Sequence, residues 1–188
     1  MNKFVNESWL VLTLGVVFAA LLAGAQTSLS ARIVVNRTRA LNEAVAQVVP
    51  DTQKIEALAV AGYDRDVFRC LDADGKLAGW AIDAVGMGFA DKIRLVVGLS
   101  PDTTRIVGLK VIENVETPGL GNKISEDDWA GQYRNLDAGR PVVVHKRPPT
   151  AGANEVQAVT GATISSKAVT TIVNEALARV RPALQQQQ

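Results

Sequence analysis

The stretch Ser8–Ala31 contains no charged residue, and its centre, Trp9–Ala25, is dominated by Leu, Val and Ala. Wound as an α-helix at about 1.5 Å per residue, the uncharged run from Trp9 reaches about 34 Å, enough to cross a hydrocarbon layer of about 30 Å. Only Lys3 and Glu7 carry side-chain charge before it. A cleaved signal peptide is the alternative, with Lys3 as its basic end and Ala23-Gly24-Ala25 as a small-residue cleavage site. The apolar run is longer than the usual signal core of about 7–15 residues, which favours a retained anchor. Arg32, Arg37 and Arg39 follow the run, and a literal count of flanking cations places the body in the cytoplasm. Long domains translocate largely regardless of such charges, so charge alone does not choose a side.

The remaining 157 residues, 32–188, hold nineteen Lys and Arg against eighteen Asp and Glu. A near-neutral body of this size buries a single core. It has no long Lys/Arg run and so lacks the electrostatic footprint of a nucleic-acid binder. The one cysteine, Cys70, excludes an internal disulfide and a cysteine-built zinc or iron–sulfur centre. The one histidine, His145, argues against a histidine-ligated metal, and no metal site is expected. Redox chemistry on this chain therefore calls for an organic cofactor.

Apolar spacing over Ile33–Val49, ending at Pro50, predicts a helical stalk continuing from the membrane segment. Val67–Leu71 and Leu77–Val85 flank Asp72-Ala-Asp-Gly-Lys76, a hairpin signal; Ile93–Leu99 and Arg105–Val111 repeat the pattern across Ser100-Pro101-Asp102. Successive short strands joined by turns predict an antiparallel sheet. A short helix around Glu126–Tyr133, strands at Pro141–Lys146 and Glu155–Val159, and a helix over Ile164–Val180 that Pro182 ends complete the reading. The expected architecture is α+β: an anchor over residues 1–31, a stalk over 32–50, one folded domain with an antiparallel sheet and packed helices over 51–184, and a tail over 185–188.

The segment Thr160-Gly161-Ala162-Thr163-Ile164-Ser165-Ser166 places a glycine turn between a strand and a helix. Amides at a helix start lack intrahelical acceptors and sit at the positive end of the macrodipole, so they favour a phosphate group. Gly161 permits close backbone approach, Ala162 leaves room, and the hydroxyls are available to cap the helix or to contact the phosphate. Capping by Thr and Ser without any ligand is the plainer use of such a segment. Glu116-Thr117-Pro118-Gly119-Leu120-Gly121 is a second loop of turn formers, with a carboxylate, a hydroxyl and two glycines in six residues.

Thr160-Gly-Ala-Thr163 resembles the flavinylation motif of FMN-binding domains, and Glu116–Gly121 resembles their flavin-contacting loop. With its short anchor and a body ending in motif plus helix, the whole chain is similar to a family of covalent flavoproteins. That family includes the G-type component of the Rnf electron-transport complex and the C-type component of the sodium-pumping NADH:quinone reductase. The resemblance implies an electron-relay component of an ion-translocating ferredoxin:NAD+ oxidoreductase, the C-type role being the alternative. It implies one FMN per chain, joined through its phosphate to Thr163 by a flavin transferase, with Thr160, Gly161 and Ala162 shaping the turn. Glu116, Thr117, Gly119, Leu120 and Gly121 would lie near the flavin ring, and Gly86-Met-Gly-Phe89 loosely matches a nearby segment. Other subunits of a membrane complex are the implied partners, with the flavin domain on the extracytoplasmic side of the cell inner membrane. Gln157 stands where the family motif commonly has Asp. An anchored module that binds a phosphate-bearing ligand or scaffolds partners is the non-redox alternative.

Near this motif, Ser165, Ser166 and Lys167 are candidates to contact the phosphate, Lys167 ahead of Lys123 because it lies in the first turn after Thr163. Trp80, Trp129 and Tyr133 are read as core aromatics rather than flavin stackers, Cys70 as an inert buried thiol, and His145 as a strand residue.

Overall fold

The computed structural model describes the backbone of residues 2–187 and the side chains of residues 8–30 and 32–187. Lys3 and Glu7 therefore lie outside the described side chains, and Gln188 outside the described residues. The chain divides into two compact units, Met1–Ala40 and Leu41–Gln188, with the boundary inside the expected stalk. One helix, α1 (Asn2–Val48), supplies the first unit and the first eight residues of the second.

In the first unit the helix is long and apolar enough to cross a membrane. The side chains described from Trp9 to Arg39 are exposed. Four of its hydroxyls bond within the helix: Thr13, Thr27, Ser30 and Thr38 each donate to a carbonyl three or four residues earlier. A lipid-facing segment needs that arrangement, since hydrocarbon offers no other partner.

The second unit is built on a five-stranded antiparallel meander: β1 (Lys54–Leu58), β2 (Val67–Leu71), β3 (Leu77–Met87), β4 (Lys92–Leu99) and β5 (Ile106–Glu113), paired in chain order. Local chemistry makes the turns. Asp72 Oδ1 accepts from the amides of Asp74 and Lys76 at 3.0 and 2.9 Å, closing the β2–β3 hairpin. Asp102 accepts from Thr104 N and Thr104 Oγ1 at 3.1 and 2.8 Å in the β4–β5 hairpin. The strand β1 adds an edge that the sequence reading does not include.

Both faces of the sheet are covered. Trp80, Ile82, Ala84, Ile93, Leu95, Val97 and Leu99 point to one face and pack with α3 (Thr163–Gln185) through Val169, Ile172, Val173, Ala176, Leu177 and Val180. The intervening residues Ala81 and Val96, with Phe68 and Cys70, meet Leu41, Ala44, Val45, Val48 and Val49 on the other face. Paired glycines make that second contact close: a Cβ at Gly98 or Gly108 would sit 2.6 or 2.5 Å from the Val48 carbonyl oxygen.

Two expectations are corrected. The strands β6 (Val143–His145) and β7 (Glu155–Gln157) form a separate two-stranded sheet, and they pair in parallel rather than extending the antiparallel one. Pro182 does not end α3, which continues to Gln185. Val180 and Leu184, both fully buried, anchor the helix on either side of the proline and outweigh its missing N–H. Between β5 and β6 the short helix expected around Glu126–Tyr133 divides into the short helix α2 (Asp127–Ala130) and a 3-10 turn (Gly131–Tyr133), and another 3-10 turn (Gly121–Ser125) precedes it.

Candidate functional site

The start of α3 is built without a side-chain cap. Its N-cap position is Ala162, at φ −131° and ψ 42°, and Thr163 is the first helical residue. Among the described residues no acceptor reaches the amides of Thr163, Ile164 or Ser165; the first intrahelical bond is Ser166 N to Ala162 O at 3.0 Å. Gly161 turns the chain into the helix at φ +83°, a conformation that glycine adopts without strain. The half-buried Thr163 side chain lines the space in front of the helix start and makes no hydrogen bond among the described residues.

That space is a cavity of about 580 Å³, within the range of about 300–1,000 Å³ common for cofactor sites. Thr160, Gly161, Ala162, Thr163 and Ser165 line it from the motif, and Thr117, Leu120 and Gly121 from the second loop. The fold thus brings together the two segments singled out in the sequence, some forty residues apart. Phe89, Leu120 and Ile164 give it apolar walls that remain substantially exposed, at 62%, 47% and 59%.

Four expected residues do not line the cavity: Glu116, Gly119, Ser166 and Lys167. Ser166 works inside the fold, where Oγ accepts from Val159 N and donates to Ala162 O, both at 3.0 Å, and so ties the motif loop to the helix. Lys167 is exposed, and Gly119 occupies the tip of its turn at φ +76°. Glu116 is buried behind the wall and accepts from Ser165 Oγ at 2.6 Å.

Phe89, from the Gly86–Phe89 segment expected nearby, lines it, and so does Lys146, which is not among the ligands expected from the sequence. The parallel register places His145 opposite Gln157, with Ala158 N donating to His145 O at 2.8 Å, and this carries Lys146 beside the motif. Nothing local in the sequence signals a parallel pair of three-residue strands. Gln157 packs into the same corner: its backbone oxygen accepts from Trp129 Nε1 at 2.8 Å, and its amide Nε2 lies 3.4 Å from Lys146 O. An aspartate there would have no donor for that carbonyl.

The aromatic residues support the site from behind. Trp129 and Tyr133 form an edge-to-face pair with centroids 5.6 Å apart, and Tyr133 shares a 2.6 Å hydrogen bond with Thr170 in the core. Trp80 is buried in the sheet–helix core. His145 stays a strand residue, 3.2 Å from Glu155. Its partner Glu155 also accepts from Thr150 N and from Arg147, which hold its carboxyl below the ordinary range.

These residues fit FMN. The free amides, Gly161 and Lys146 suit a phosphate, the apolar walls suit a flat ring, and Thr163 lines the same cavity. Residues 88–178 match the FMN-binding domain family. The matched segment, a little under half of the chain, is similar to an FMN-binding domain. All the expected site residues, from Glu116 to Lys167, fall inside the matched segment. The G component of the ion-translocating oxidoreductase complex of Methanosarcina acetivorans is 28% identical over 173 residues, covering 89% of each chain. The G component of the Na(+)-translocating ferredoxin:NAD(+) oxidoreductase complex of Acetobacterium woodii is 39% identical over 103 residues, spanning 54% of this chain and about half, 49%, of its own length. The crystal structure of Shewanella oneidensis NqrC shares the fold, with a TM-score of 0.60 at 22% identity over 72% of this chain and 71% of that one. The matched segment runs from the β3–β4 turn into α3 and includes the cavity at the start of α3.

Proposed function

We propose that this chain is the G-type component of an ion-translocating ferredoxin:NAD+ oxidoreductase, anchored by α1 and relaying electrons through an FMN joined by a phosphoester to Thr163. The names of its relatives support the complex. The attachment rests on one observation above all: the Thr163 hydroxyl, free of any capping bond, stands at an uncapped helix start in the cavity. A threonine that merely capped α3 would spend its hydroxyl on a first-turn amide, which favours attachment over the non-redox alternative.

Each part of the site then has a task. The amides of Thr163, Ile164 and Ser165, with Gly161, receive the phosphate oxygens, and the Lys146 ammonium balances their charge. Phe89, Leu120 and Ile164 exclude water from the ring and hold its plane. When bound, FMN exchanges one or two electrons, so it joins carriers of either kind. A covalent link keeps it in place on the extracytoplasmic side, where the flavin transferase acts and other subunits of the complex are its partners.

The chain made in a host with the transferase should give a band that fluoresces as flavin after denaturing electrophoresis, with the added mass of FMN less one water. Thr163→Ala should lose both while keeping the fold. A wild-type chain from such a host with no added mass would defeat the attachment. Co-purification with a ferredoxin-oxidising rather than a quinone-reducing set of subunits separates the G-type role from the C-type.

A further inference from the structure

We infer that Glu116 is the positioning residue of this site, a buried carboxylate that clasps the two cavity walls together and sets the electrostatics behind the ring; the inference rests on the FMN reading above. Glu116 is only 4% exposed and does not line the cavity. Its Oε1 accepts from the backbone amides of Phe89 and Ala90 at 2.7 and 3.1 Å, and its Oε2 from Ser165 Oγ at 2.6 Å. Phe89 and Ser165 belong to different walls, the first from the β3–β4 turn and the second from the first turn of α3. One carboxylate therefore joins segments 27 and 49 positions away from it.

The surroundings are shaped for this group. A Cβ on Gly88 would collide with Oε1, and one on Gly121 would lie 2.8 Å from Glu116 Cβ and 2.9 Å from Oε2. The backbone of Glu116 is itself pinned: its amide donates to Asn114 Oδ1 at 3.2 Å, and Asn114 Nδ2 donates to Ser125 Oγ at 2.7 Å. Hydrogen bonds to a carboxylate are about twice as strong as neutral ones, so the clasp fixes Phe89 against the helical turn that begins at Thr163. Negative charge behind the wall also opposes adding electrons to a ring in the cavity, which lowers its potential.

The test uses the full chain. In the flavin-free protein, Glu116→Ala should speed hydrogen exchange at the Phe89 and Ala90 amides by about tenfold or more, and co-expression with the transferase should yield less bound flavin. Ser165→Ala, which removes only the Oε2 partner, should leave that exchange slow and lower the loading less. Glu116→Gln keeps one acceptor oxygen and removes the charge, so it should load more FMN than Glu116→Ala and shift the flavin midpoint potential upward. Unchanged exchange at Phe89 and Ala90 in both Glu116 variants overturns the clasp, and an unshifted or lowered potential in Glu116→Gln overturns its electrostatic role. If Glu116→Ala fails to fold, Glu116→Gln and Ser165→Ala carry the test. If the wild type itself takes up no covalent flavin, the Thr163 reading fails, while the exchange measurement still decides the clasp.

Discussion

Thr163 and Lys146 show how differently two residues of one site are written into the chain. Thr163 is legible because its neighbours in sequence, Gly161 and the helix that follows, create its environment. Lys146 becomes a cavity residue only through the β6–β7 register, while Lys167, near in sequence, stays outside the cavity. Lys146→Ala should therefore reduce flavin loading by up to about fivefold, from the roughly 0.2–1 kcal/mol of an exposed ion pair, and Lys167→Ala should leave it nearly unchanged, as measured by flavin fluorescence per chain. Cys70 is equally clear at this scale. Burial pushes its thiol up to about 11 from 9.0, against a smaller opposing effect of Thr52. The folded state thus holds its proton where the unfolded state has lost it, so this group's contribution to stability is full below pH 9.0 and declines as pH rises toward about 11. Alkylation near the unfolded thiol's pKa of 9.0 should be slow in the native chain and fast in denaturant.

At the scale of elements, the five-strand meander follows from alternation and local turns, and the strands expected over 67–111 lie within about two residues of those observed. What alternation does not tell is that the second face is buried too, because the covering residues, Leu41 to Val49, come from the end of the N-terminal helix. Gly98 and Gly108 exist for that contact. Gly108→Ala should destabilise the domain by about 1–3 kcal/mol, since the Val48 carbonyl is backbone and cannot swing aside; urea unfolding measures it. The parallel β6–β7 pair is not legible, since its nine-residue connection reads only as a turn-rich loop and its strands are three residues long. Glu155 ties that connection to β7 through Thr150 N and Arg147. Because its folded carboxyl is held below the ordinary 4.5, the tie is present above that value and is lost as pH falls through the depressed one. Limited proteolysis of residues 147–154 should therefore accelerate on acidification.

For the whole molecule, the chain is two units, one of them an exposed apolar helix, and each should behave as one. Residues 41–188 produced alone should be soluble and unfold cooperatively, whereas the full chain should partition into membranes, with a mass that retains Trp9–Ala25. A mature chain starting after Ala25 would restore the signal-peptide reading. The sequence by itself determined the apolar N-terminal helix, the α+β class, the antiparallel meander and the motif that offers Thr163, because each arises from neighbours along the chain: hydrophobic run, alternation, turn chemistry, helix start. Only the tertiary structure decided that Lys146 completes the cavity, that Ser166 and Lys167 do not enter it, and that Glu116 stands behind it holding the walls. Those outcomes depend on contacts between segments tens of residues apart, whose register is set by packing and by the need of every buried polar group for a partner.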